Sequence, residues 1–333
     1  MSQIVLSGIG NLAENVSLEA SPDLSVRADQ VLIAIEAANI NPADFLYAAG
    51  WYGIPPVVGH SLGNEGVGRV LEIGGAVDSS LLGRRVIVIP NGEQGTWADQ
   101  IVTAATNVVP IPDSGEATQL AQVSVNPVTA LVLLNSFGDL KPGDWVGQTI
   151  GNSAVGRYVI QLAKRAGYRT LSVVRSEKAA DEVRAAGGDL AFVVGDDLGG
   201  RISSVLHGEQ LSLVLEGEGG ATVGELAQSL KSGGTVVVYS SATGASQALG
   251  IGDVIYREIQ LKGWWILNWI HNTPRAELEA TYNELAALIA SGEISSPVDS
   301  TYAIADYKAA LAQASSPDRN GKVLFVPAST EAR

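Results

Sequence analysis

Two short stretches hold residue types that do chemistry when they are correctly placed. The first runs Trp-Val-Gly-Gln-Thr-Ile-Gly-Asn-Ser-Ala-Val-Gly over 145–156, an apolar run ending in small residues, and leads into the helical period of Arg157 to Gly167. Strand, tight turn and helix in that order aim the N–H groups of the helix N-terminus at an anion, commonly a pyrophosphate. Gly151 and Gly156 are present, but Asn152, Ser153 and Ala154 fill the middle, so the glycine fingerprint is incomplete; the same small residues would also serve close strand–helix packing. The second stretch is Gly50-Trp51-Tyr52-Gly53. A phenol in a loop between two glycines, with an ordinary pKa near ~10, stays protonated at neutral pH and can donate to a developing enolate. An aromatic lid or packing residue is the other reading of Tyr52.

The end of the next apolar run, Thr170 to Ser176, narrows the anion. An NAD-specific site places Asp or Glu there to hold the ribose hydroxyls, whereas this chain has Arg175 flanked by Ser172 and Ser176. A guanidinium with hydroxyls suits a 2′-phosphate, which predicts NADPH. Glu177 has the wrong charge for phosphate but fits the first turn of a following helix. A rival chemistry is offered by Gly59-His60-Ser61-Leu62-Gly63, the spacing of a serine-hydrolase elbow. An elbow must lead into a helix, and here glycines and a strand-like run, Arg69 to Ile73, follow instead. Glu65 reads as a buried network carboxylate rather than a general base, and the isolated Lys322 as a surface residue.

These residues are positioned by two textures of sequence. Up to about residue 115 short β-like runs alternate with Gly and Pro, including Val31 to Ala37, Gly66 to Ile73 and Arg85 to Ile89, which suits a small antiparallel sheet or barrel. From about 120, apolar runs at 145–150, 170–174, 190–194, 211–215 and 235–239 alternate with helical or turn-rich segments, as in a doubly wound parallel sheet. Helical period over 274–291 and strand, helix and strand over 298–328 would return the chain to the first domain. Val155, Val159, Leu162 and Ala166 are expected to share the buried face of the helix after the turn. The 333 residues, 46% hydrophobic and 17% charged, suffice for two domains. A formal charge of -14 disfavours nucleic acid and anionic membranes as partners. With no Cys, disulfides, iron–sulfur clusters and thiolate zinc sites are excluded. No run spans a bilayer and no basic presequence is visible, so a cytoplasmic location is the expectation.

The chain resembles the zinc-independent medium-chain dehydrogenases/reductases, and among them the mitochondrial-type trans-2-enoyl thioester reductases. The resemblance runs from about residue 30 to 328. It is carried by Asn-Pro-Ala-Asp-Phe (41–45), Gly-Trp-Tyr-Gly-Ile-Pro-Pro (50–56), Gly-Asn-Glu-Gly-Val-Gly (63–68), Gly-Thr-Trp (95–97), Val-Asn-Pro-Val-Thr-Ala (125–130), Asn-Ser-Ala-Val-Gly (152–156), Ser-Val-Val-Arg (172–175), Leu-Lys-Gly-Trp-Trp-Ile-Leu-Asn-Trp (261–269) and Gly-Lys-Val-Leu-Phe (321–325). It implies a GroES-like, β-rich catalytic domain over 1–118 and 268–333, with a Rossmann domain over 119–267. It makes Tyr52 the catalytic residue, with no metal, and Asn64-Glu65 stands where zinc-dependent relatives carry His-Glu. Cofactor contacts fall on Asn126, on Ser153, Ala154, Val155 and Gly156, on Arg175 and Ser176, on Tyr239, Ser240 and Ser241, on Trp264, Trp265 and Ile266, and on Lys322. Trp264, Trp265 and Trp269 would pack a core or wall an acyl pocket. The implied reaction is NADPH-dependent reduction of the C2=C3 bond of an enoyl-CoA or enoyl-acyl-carrier thioester by a homodimer. A quinone or enone reductase on the same scaffold, and a cofactor-binding protein without turnover, are the alternatives. The chain departs from the family at Trp51, where an Asn precedes the tyrosine, and at Ser176 and Glu177.

Overall fold

A computed structural model describes residues 1–93 and 95–327. The chain forms two compact units, one built from residues 1–128 together with the segment from 269 onward, the other from 129–268. The first unit opens with a hairpin of β1 (Ser2–Leu6) and β2 (Val16–Ala20), followed by β3 (Gln30–Asn39), α1 (Pro42–Ala48), β4 (Gly66–Ile73), β5 (Arg85–Val88), β6 (Gln100–Ala104) and β7 (Val108–Pro110). Val31, Ile33 and Ile35 alternate inward along β3, the period-2 pattern of a strand with one buried face. Short helix α2 (Ala117–Leu120) follows, and α3 (Asn126–Ser136) carries the chain into the second unit. The division falls at Val128, ten residues beyond the boundary expected at 118, and Gln119 exchanges hydrogen bonds with the backbone of Ser296, tying α2 to the first unit.

The second unit is a six-stranded parallel sheet in the order β10-β9-β8-β11-β12-β13. Along the chain it runs β8 (Trp145–Thr149), α4 (Ala154–Ala166), β9 (Arg169–Val174), α5 (Glu177–Ala185), β10 (Leu190–Val193), α6 (Leu198–Leu206), β11 (Leu211–Glu216), α7 (Thr222–Ala227), β12 (Leu230–Val238), α8 (Ile251–Tyr256) and β13 (Gln260–Gly263). Central strands β8 and β11 are buried along their whole length, as strands covered on both faces must be. The buried face of α4 is Gly156, Val159, Ile160, Leu162 and Ala163. Val155 is only half-buried and Ala166 is exposed, a correction to the expected stripe: the helix is rotated so that Gly156 lies against the turn. Gly167, at φ +77°, ends α4 in the left-handed cap.

Helix α9 (Ile266–Asn272) leads back to the first unit, which α10 (Arg275–Ala290), β14 (Val298–Tyr302), α11 (Tyr307–Ser315) and β15 (Lys322–Phe325) complete. Their strands join one sheet of order β14-β15-β3-β4-β5-β7, with β6 also on β3. Leu324 pairs with Asn39 and Phe325 with Ala38, so the last strand lies against the end of β3. Trp97, fully buried, meets the Phe325 ring edge-on at 5.4 Å and donates its indole N–H to the Asn39 carbonyl at 3.0 Å. Among the described residues no helix is long and apolar enough to cross a membrane.

Candidate active site

Within the 129–268 unit, the expected cofactor residues gather at the carboxyl ends of the parallel strands, where ligands of such sheets bind. After β8 the chain turns sharply at Ile150, a β-branched residue held at φ +44°. Strain of that kind persists only where surrounding packing fixes it, and it clusters at functional turns. Ser153 caps α4, its hydroxyl accepting from Gly156 N–H at 3.1 Å. A Cβ on Gly156 would lie 2.5 Å from the Gly151 carbonyl oxygen, and one on Gly151 would lie 2.5 Å from the Ser172 side chain. Both glycines therefore let the helix N-terminus sit directly on the strand end, which brings Ser153, Ala154, Val155 and Gly156 within one tight turn.

That turn is braced by residues that sequence reasoning missed. Arg157 donates to Asn152 O and pairs with Glu182 of α5 at 3.0 Å, and Asn152 Nδ2 donates to the same carboxylate at 3.1 Å. Pairing across helices leaves no periodic trace in a sequence. Arg175 stands exposed just past the end of β9, and Ser176 caps α5 by accepting from Ala179 N–H at 3.2 Å, which leaves its own proton available to donate. Ser172 is a correction: it is fully buried, and its hydroxyl accepts from Gln148 Nε2 at 3.0 Å. It lies beneath the turn and supports it rather than facing a phosphate with Arg175.

Glu216, at the end of β11, is a second residue the sequence reading passed over. Fully buried, it accepts from Glu218 N–H at 2.7 Å, from Gly219 N–H, and from Thr149 Oγ1 at 3.0 Å. Burial pushes its carboxyl up despite those donors. A lone acid closing the apolar run 211–215 was the available signal. Tyr239 follows β12, and a Cβ on Gly217 would lie 2.6 Å from its phenol oxygen. Burial raises that phenol further, and Ser153 and Glu216 are its polar neighbours. Ser240 and Ser241 continue the same loop, half-buried. Trp264 donates its backbone N–H to Val238 O at 2.9 Å; Trp264 and Trp265 are half-buried and Ile266 is buried.

In the first unit, Tyr52 lies in the loop after α1, between Gly50 at φ +80° and Gly53 at φ +83°. It is half-buried and packs on the core with Phe45 and Ile54, while Trp51 beside it is 77% exposed. Asn126 and Lys322 lie together elsewhere in this unit, in a buried polar network around Glu65. Glu65 Oε1 accepts from Asn39 Nδ2 at 2.8 Å and from Asn41 Nδ2 at 2.6 Å, and Asn126 Nδ2 reaches it at 3.5 Å. Lys322 Nζ donates to Asn41 Oδ1. Lys322 is 4% exposed, which corrects the surface reading: its stem and head are drawn in by the Asn41 and Glu65 oxygens. Burial pushes Asp44 up to about 7, helped by Glu65, and lowers Lys322 to about 8 although Glu65 opposes that shift. Trp269 packs edge-on against Tyr282 at 6.1 Å, a core contact of this unit. The Ser61 alternative fails on context: Ser61 bridges to Val5, and β4 follows it rather than a helix.

Two family profiles match the chain, the alcohol dehydrogenase GroES-like domain over residues 27–113 and the zinc-binding dehydrogenase over 154–287. The enoyl-[acyl-carrier-protein] reductase, mitochondrial, of Caenorhabditis elegans is 34% identical over 299 residues, covering 88% of this chain and 85% of its own. This chain belongs to the medium-chain dehydrogenase/reductase family. Among solved structures, this medium-chain reductase superposes at TM-score 0.90 on a Bacillus thuringiensis protein assigned as an NADPH:quinone reductase, with 25% identity and coverage of 98% and 99%. It also superposes at TM-score 0.84, with 20% identity and coverage of 98% and 99%, on Etr1p in complex with NADP and crotonyl-CoA. The zinc named in the second profile does not suit the donors present in this reductase. The chain has no Cys, position 64 is an amide, Glu65 is committed to Asn39 and Asn41, and among the described residues no three of His, Asp and Glu gather as ligands.

Asp44 gives this network a pH signature. Its carboxyl titrates near 7 in the fold and near 3.8 outside it, so the folded form holds an extra proton between those values and stability falls as pH rises through that window. The unfolding free energy of the wild type minus that of Asp44→Asn is expected to decline by on the order of a few kcal/mol between pH 4 and 7.5 in urea titrations. A flat difference would rule out the buried neutral acid.

Proposed function

We propose that the protein reduces the carbon–carbon double bond of a 2-enoyl thioester with NADPH. The observation that carries this reading is the 34% identity, along nearly the whole length of both chains, to a reductase named for that reaction. The phenol loop adds support, since conjugate reduction requires a proton for the α-carbon once hydride has reached the β-carbon. Reduced nicotinamide supplies the hydride when bound. Tyr52, fixed between two left-handed glycines, offers a protonated oxygen to the thioester enolate. Arg175 and the Ser176 hydroxyl suit a 2′-phosphate, and the Ser153–Gly156 turn suits a pyrophosphate. The quinone reductase reading rests on a fold likeness at 25% identity, below the 34% shared with the enoyl reductase.

The thioester carrier, CoA or acyl carrier protein, is the finer choice, and the pantetheine arm common to both is what the site would read. The protein also works, in this proposal, as a homodimer through the free edge of the parallel sheet. Strand β13 is exposed along its length, and Leu261, Ile251, Val254, Ile255 and Tyr256 form an apolar surface on β13 and α8.

Three measurements test these statements. Tyr52→Phe is expected to lower kcat for crotonyl-CoA by about 100-fold or more with the NADPH Kd within twofold, and an unchanged kcat would remove its role. Arg175→Gln is expected to raise the NADPH Kd by at least about tenfold and leave NADH binding nearly unaltered; equal losses for both cofactors would reassign the guanidinium. In sedimentation equilibrium the wild type should weigh two chains and Leu261→Lys one, and a monomeric wild type would discard the edge interface.

A further inference from the structure

The hydroxyl of Tyr47 has no place in the reaction drawn above, and core packing does not call for it. Tyr47 stands on the last turn of α1, 3% exposed, and its ring belongs to the core on which Phe45, Tyr52 and Ile54 pack. A phenylalanine would serve that purpose equally. The hydroxyl reaches instead to the chain ten residues further on, where Tyr47 Oη accepts from Val57 N–H at 3.1 Å. Its own carbonyl accepts from Gly50 N–H at 2.9 Å, beside Leu46 O, which accepts from Trp51 N–H at 2.8 Å. One residue thus grips both ends of the segment that carries Tyr52.

That segment needs holding. Residues 51–60 form neither helix nor strand, Pro55 and Pro56 have no N–H to donate, and Gly50 and Gly53 leave the backbone loose on both sides of the phenol. Apolar burial does not fix its far arm, because Val57 and Val58 are 43% and 51% exposed. Polar contacts tie that arm down, first Val57 to Tyr47 and then Gly59 N–H to Leu6 O of β1 at 2.8 Å. The base is firm. Helix α1 starts at Asn41, whose side chain donates to Glu65 at 2.6 Å and whose N–H donates to Asp44 at 2.7 Å, so the helix is locked to the buried network.

We propose that Tyr47 is a positioning residue for the proton donor: by taking the Val57 N–H it sets where the Tyr52 phenol stands, and being buried it does so without meeting substrate. The proposal rests on the Tyr52 reading above and adds the group that aims it. A reacting group displaced by about 1 Å loses much of its rate advantage even when it is chemically intact. The loss therefore falls on turnover, and not on the binding of substrate or cofactor.

The experiment is a double-mutant cycle over Tyr47→Phe and Tyr52→Phe with crotonyl-CoA and NADPH. Tyr47→Phe is expected to lower kcat about tenfold, the scale of one hydrogen bond, with the crotonyl-CoA KM and the NADPH Kd within about twofold of wild type and the Tm nearly unchanged. In the Tyr52→Phe background the same change should lower kcat less than about twofold, since the group it places is gone. A role in general stability would multiply the two losses instead. Amide exchange reads the bond directly: Val57 N–H should exchange at least about tenfold faster in Tyr47→Phe than in wild type. A Val57 amide unprotected in wild type, an unchanged kcat in Tyr47→Phe, multiplied losses in the double variant, or a Tyr47→Phe protein that no longer folds would overturn the proposal. If wild type does not reduce crotonyl-CoA, or Tyr52→Phe turns over as wild type does, the reading above falls and takes this contact with it. If Tyr52→Phe is impaired and the two losses still multiply, this contact alone falls.

Discussion

A carboxylate enclosed in protein must be met by donors, and that requirement at Glu65 organises the first unit. Leaving a buried acceptor of this kind without donors costs roughly 1–3 kcal/mol, and more if it is charged. The donors come from the end of β3, the cap of α1 and the start of α3, and Lys322 of β15 closes the set through Asn41. Apolar burial around Trp97 and Phe325 supplies the bulk of the free energy, but it does not choose a register. The polar partners do, because sliding β15 by one residue would turn Lys322 to the other face of the strand.

The 129–268 unit answers a different demand, that of meeting a polyanion with a surface whose overall charge is negative. Its solution is local and mostly neutral. Backbone N–H groups at the start of α4 face outward from a turn fixed by two glycines below and by the Arg157–Glu182 pair at the side. The guanidinium of Arg175 stands exposed just beyond β9, while that of Arg157 is taken up by Glu182. Glu216, locked by three donors, keeps the floor of the strand ends rigid.

What the sequence disclosed and what it hid follow from the range of the interactions. Strand and helix order and the return of the last segment to the first sheet are written in local periodicity, and both are present. Ser172 and Lys322 were misplaced because a serine beside an arginine, or an isolated lysine, carries no mark of which way it faces. Their surroundings are set by Gln148, Gly151 and Asn41, residues 21 to 281 positions away whose proximity exists only once the chain has folded. Glu216 was detectable as an acid closing an apolar strand, whereas the Arg157–Glu182 brace had no local counterpart.

The split layout of the first unit has a consequence for the order in which the protein is made. A ribosome delivers all of 129–268 before Lys322 leaves the exit tunnel, so the parallel-sheet unit can settle while the β-rich one still lacks its closing strand. During that interval the flank of β3 at Ala38 and Asn39 is an open edge, and the amide of Asn41 faces no ammonium. The newborn chain thus carries an unfinished strand border until β15 emerges to cover it.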